Sequence, residues 1–120
     1  GDETAIPAVS QLLEALPAER PVQVHIEVAH RDARLALPDH ARASVEWCDL
    51  PPGASPGNAL VAAVGVASFV PDTRVWAAGE AAAVQRIRRH LFADRGLPRA
   101  QASVRGYWKH GRSGDADDDS

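Results

Sequence analysis

The sequence contains one cysteine, one tyrosine, two phenylalanines and no methionine in 120 residues. A lone cysteine, Cys48, excludes an intrachain disulfide and a thiolate metal cluster. Lysine is almost missing: of 13 basic residues only Lys109 is a lysine, and the others are arginines. Long hydrophobic runs are missing too. The longest, Ala59 to Val70, has 12 residues interrupted by Gly65 and Ser68, whereas a helix crossing a bilayer needs about 20. With no secretory signal visible at the start, this pattern predicts no membrane insertion and a cytoplasmic location. The absent initiator methionine predicts a piece of a longer protein. The 5 histidines are scattered without metal-ligand spacing, so no metal site is expected. The serines Ser10, Ser44, Ser55, Ser68 and Ser103 lack the strand–turn–helix context of an activated nucleophile.

Charge of one sign is also scarce. The formal net charge is -3. Asp115, Asp117, Asp118 and Asp119 account for it: without them, 13 basic residues face 12 acidic ones. No basic stripe is present, which argues against nucleic-acid binding. The aspartates predict a solvated, disordered tail over residues 113–120, because such a run buries no apolar surface. Residues 1–112 remain as one domain, long enough for a hydrophobic core.

Periodicity then supplies the elements. Ile6, Val9, Leu12, Leu13 and Leu16 recur at helical spacing over Thr4–Leu16, with Thr4 as N-cap and Pro17 as terminator. Val22, Val24, Ile26 and Val28 alternate with Gln23, His25 and Glu27, which predicts a strand over Val22–Ala29. A polar loop, His30–His40, leads to a second strand over Ala43–Asp49. Pro51, Pro52, Gly53 and Pro56 mark another loop, and Asn58–Ala67 reads as a short apolar helix. A strand over Thr73–Gly79 precedes the clearest helix, Glu80–Arg95, with Ala83, Val84, Ile87, Leu91 and Phe92 on one face and Gly96 after it. The last strand covers Ala102–Trp108.

Strands alternating with helices predict an α/β domain with a doubly wound, mostly parallel sheet and helices on both faces. The alternation opens on a helix, so the first strand of the regular pattern is expected to be lacking. In such sheets ligands bind at the carboxyl ends of the strands. Gly1–Thr4 and Gly79–Glu80, both read as strand-to-helix turns, belong on that edge. Gly1 permits close backbone approach, and the N–H groups opening the Thr4 helix favour an anion. Asp2 and Glu3 oppose a pyrophosphate, so their side chains either point away or serve an uncharged part of the ligand. The alternative is that they complement the helix dipole. Glu80 has the same alternative, as a helix cap.

Four segments carry a resemblance: GDETAIPA at residues 1–8, WAAGE at 76–80, RIRRHL at 86–91 and GYWKHG at 106–111. Together, in order, they resemble the C-terminal half of siderophore-interacting proteins, flavin- and NAD(P)H-dependent ferric-siderophore reductases related to ferredoxin-NADP reductases. The resemblance implies NAD(P)H on this domain and FAD on a missing N-terminal barrel. Hydride would pass from NAD(P)H to FAD, and electrons then to a ferric siderophore, the substrate of the parent enzyme. It places the pyridine nucleotide at Gly1, Asp2, Glu3, Thr4, Ala5 and Pro7, with Gly79 and Glu80 where nicotinamide meets flavin. Tyr107, Trp108, Lys109 and His110 would face the flavin or the substrate, with packing against the sheet as the alternative for the aromatics. No catalytic residue is assigned.

His30, Arg31 and Arg34 follow the Val22 strand, where arginine can accept a ribose 2′-phosphate; solvated loop charge is the competing reading. Arg86, Arg88, Arg89 and His90 read as a solvated helix face. Two other functions stay open. One is a non-catalytic module that pairs with a separate flavin-carrying chain. The other is a remnant without cofactor affinity that self-associates through an exposed sheet edge.

Overall fold

The computed structural model describes residues 1–111, so the acidic tail lies outside the described residues. Helix α1 spans Ile6–Ala15, α2 Asn58–Val66 and α3 Ala81–Arg89. Strand β1 spans Val22–Val28, β2 Ala43–Asp49, β3 Val75–Glu80 and β4 Ala102–Trp108. β1 pairs with β2 and β3 with β4, both in parallel.

The expected sheet is thus present as two parallel pairs. Between them runs Gly1–Asp2. The Gly1 amine donates to the His25 carbonyl, the Glu27 N–H donates to the Gly1 carbonyl, and Asp2 forms a parallel bridge with Glu27. On its other side, a Cβ on Gly1 would stand 2.8 Å from the Ala78 carbonyl oxygen of β3. Only glycine fits between these two strands.

Alternation assigns the helices to opposite faces. Val24, Ile26 and Val28 pack with Ile6, Val9 and Leu13 of α1, joined by the half-buried Trp47 and Trp76. Ala77, one residue on from Trp76, points the other way into a second cluster with Leu60 of α2, Ile87 of α3 and Leu91. Gly57, at φ +94, lets α2 and α3 approach: a Cβ there would lie 2.1 Å from that of Ala83.

Two helix ends differ from expectation. Asp2, not Thr4, is the first cap: it closes a 3-10 turn over Glu3–Ala5 that leads into α1. The third helix stops at Arg89 and widens into a π-turn over His90–Asp94. There the Arg95 N–H reaches the His90 carbonyl, and the Arg95 guanidinium donates to the carbonyls of Val64 and Gly65 while lying 4.4 Å over the Phe69 ring. A cation at the carboxyl end of α2 complements that helix dipole.

Candidate functional site

The carboxyl ends of β3 and β4 meet at the Asp2 carboxylate, while the Asp2 backbone bridges to Glu27 near the end of β1. Asp2 Oδ1 accepts from the Thr4 N–H at 3.0 Å and from the Thr4 hydroxyl. Asp2 Oδ2 accepts from the Glu80 N–H at 3.1 Å and from Trp108 Nε1 at 2.9 Å. The side chain is buried, and the four donors replace the water it gives up. Asp2 Oδ2 also lies against Gly79, where a Cβ would come within 2.7 Å. Three segments far apart in the chain are therefore held in one place by one residue.

The neighbouring acids do the same kind of work. Glu80 caps α3, accepting from the N–H groups of Ala82 and Ala83 at 3.0 and 2.9 Å. Its Oε2 also accepts from the His110 N–H at 3.4 Å. Glu3 accepts from the Ala29 N–H at 2.7 Å and so fixes the end of β1. Glu27 is the residue that sequence reasoning missed. Alternation put it on a polar face, yet it is buried and accepts from Gly57 and Leu60 N–H at 2.7 and 3.0 Å. It caps α2 from another element, because Gly57 has no side chain to do so. A buried Glu facing a glycine-started helix was the available signal.

The edge brings together Gly1–Ala5, Gly79, Glu80, Trp108 and His110. Ala5 is fully buried beneath it, and Pro7 is exposed on the first turn of α1. Trp108 stands edge-on to His110, with ring centroids 6.4 Å apart. Tyr107, on the other face of β4, is left out: it stands edge-on to Trp76 at 6.5 Å. Arg31, after β1, and Lys109, after β4, are both exposed. Arg34 is taken by Asp49, with both carboxylate oxygens at 2.7 Å. Arg86 donates to Asn58 and Arg88 to the Val104 carbonyl, so that helix face is partly tied down. A groove of about 360 Å³ lies elsewhere, between residues 34–40 and β2. Besides the paired Arg34 it is lined by Asp39 and His40, and His40 Nε2 is held by the Pro17 carbonyl.

Chemically, Asp2, Glu3 and Glu80 are engaged by N–H groups, while Arg31 and Lys109 are exposed cations in the segments that follow β1 and β4. A flat ring would find the Trp108 and His110 rings beside the capped start of α3. The residues present thus fit a dinucleotide, although Asp2 and Glu3 fit it as supports and not as phosphate ligands.

Residues 1–111 match the family model described as siderophore-interacting protein. A Mycobacterium tuberculosis protein, Rv2895c, is 36% identical over 94% of this chain and 44% of its own length. The crystal structure of a siderophore utilization protein from T. fusca superposes with a TM-score of 0.78 at 37% identity, covering 93% of this chain and 44% of that one. The mycobactin import ATP-binding/permease protein IrtA of Mycolicibacterium thermoresistibile is 27% identical over 94% of this chain and 12% of its own length. The chain spans less than half the length of these relatives.

Proposed function

Because the chain belongs to the siderophore-interacting protein family, we propose that it is the pyridine-nucleotide-binding part of a flavin-dependent ferric-siderophore reductase. The observation that carries this reading is the Asp2 junction. GDETAIPA, WAAGE and GYWKHG lie up to 106 residues apart, and one carboxylate gathers them at the strand ends where α/β sheets hold ligands.

Within this reading each residue has a physical task. Gly1 lets its backbone lie against Ala78, Gly79 leaves room for Asp2, and Asp2 fixes Thr4, Glu80 and Trp108 relative to one another. Glu80 caps α3 and so holds its start in place at the nicotinamide end. Arg31 takes phosphate at the adenosine end, and Lys109 with His110 faces the flavin domain or an anionic siderophore. Bound nucleotide would supply a hydride and bound flavin would pass single electrons to ferric iron, whose hard oxygen ligands hold the reduced ion less tightly. Proton transfer by Glu80 has no place here, since both its oxygens are engaged by N–H donors.

The test is a titration of the folded chain with NADPH and NADH, with and without a flavin-carrying barrel domain of the family. Saturable binding that is lost on Thr4→Pro supports the reading. No saturable binding in either setting sinks it.

A further inference from the structure

Beneath the candidate edge, the β1–β2 pair displays a side-chain cluster that the reductase reading does not use. The parallel register sets His25 opposite Glu46 and Glu27 opposite Cys48, so alternation places all four on one face. Glu27 is spent on the N–H groups of α2. The other three each offer one ligand atom, a nitrogen, an oxygen and a sulfur, and these atoms lie within 4.8 Å of one another. We propose that His25, Glu46 and Cys48 form a binding site for a borderline divalent transition metal, of which Zn²⁺ is the type.

The donor set selects the metal class. Imidazole and thiolate suit Zn²⁺ and its neighbours, whereas Mg²⁺ and Ca²⁺ require oxygen ligands. Three protein ligands leave a fourth position for water. His25 Nδ1 and Glu46 Oε1 are already 2.8 Å apart. In a tetrahedral site nitrogen and sulfur stand about 3.5 Å apart, so His25 and Cys48 must approach by up to about 1 Å through small side-chain rotations. Glu46, whose side chain is 63% exposed, can then adjust its oxygen to the metal.

A further observation concerns His25 itself. Its Nε2 is buried and has no hydrogen-bond partner among the described residues. Such an orphan is costly and indicates a missing partner or a ring that turns. On binding, a dication would displace the Cys48 thiol proton to solvent and take the thiolate as its ligand. Sequence spacing hides the site, since His25 and Cys48 meet only through the pairing of separate strands.

The experiment is titration of the untagged 120-residue chain with Co²⁺, followed by displacement with Zn²⁺. The expected result is one Co²⁺ per chain, a thiolate-to-cobalt charge-transfer band in the near ultraviolet, and its loss on adding Zn²⁺ but not Mg²⁺. Cys48→Ser abolishes the band. Glu46→Gln, an exposed position that leaves folding intact, and His25→Gln each weaken binding by more than about tenfold. Absence of the band in the folded wild-type chain overturns the proposal. So does a band that survives Cys48→Ser, or an affinity indifferent to both other substitutions.

Discussion

Replacing Asp2 by asparagine keeps the shape of the junction and changes one atom from acceptor to donor. If the amide nitrogen turns toward Glu80 and Trp108, two donors lose their acceptor; if it turns toward Thr4, the Thr4 N–H loses its acceptor while the hydroxyl can turn and accept. Every remaining bond to the carboxylate also loses its charge assistance. A hydrogen bond to a charged group contributes about 1.5–3 kcal/mol. One bond lost and the others weakened gives an expected cost of about 3 kcal/mol. That is a large part of the stability of a domain this size, about 5–15 kcal/mol. With about 4 °C lost per kcal/mol, the melting midpoint should fall by about 12 °C. Thermal unfolding followed by circular dichroism, with tryptophan emission as a second probe, measures it. Trp108→Phe removes one donor in advance, so Asp2→Asn should cost about 1 kcal/mol less in that background. A midpoint within about 3 °C of wild type, or full additivity of the two changes, would refute the junction as described.

Gly57→Ala must place a Cβ 2.1 Å from that of Ala83 at a φ of +94, which should destabilise the chain by about 2–4 kcal/mol in urea unfolding; an unchanged midpoint counts against the close α2–α3 contact. Cys48 should react with a disulfide reagent more than about tenfold slower in the folded chain than in the unfolded one, because burial disfavours the thiolate. The same raised pKa means the folded state keeps its proton longer, so this contribution is complete below 9.0 and is lost as pH rises through the higher folded value. In the flavin-reconstituted reductase, Arg31→Ala should raise KM for NADPH about tenfold and leave KM for NADH unchanged. Equal effects on both would assign Arg31 to loop charge alone.

Local patterns were readable because local physics sets them. The alternation of β1, the apolar stripe of α3 and the extent of β4 depend on residues next to one another, and they stand where periodicity puts them. Helix ends were less readable. Thr4 looks like an N-cap, but Asp2 takes that role because it also binds Glu80 and Trp108, partners 78 and 106 residues away. The π-turn after Arg89 follows from Arg95 reaching back to α2, which no helical period reveals. Glu27 illustrates the general limit. A polar residue in an alternating strand signals a solvent face unless a glycine-started helix elsewhere needs its carboxylate. For the candidate site, the glycines and Glu80 were visible as turn and cap. The inward aim of Asp2 and Glu3, the exclusion of Tyr107 and the loss of Arg34 to Asp49 depend on contacts that span the chain.

The bond between Asp2 and Trp108 spans nearly the whole described chain. Contacts of that range form late, since the entropy of closing so long a loop must be met before they contribute. The two strand pairs and their helices can assemble from nearer neighbours, while the edge that gathers the motifs waits for its last strand. During synthesis the junction cannot close until residue 108 has left the ribosome, so until then the buried carboxylate of Asp2 stays hydrated. Refolding experiments should therefore find the tryptophan signal of this edge acquired after helical structure, with the working surface as the final step of folding and not its nucleus.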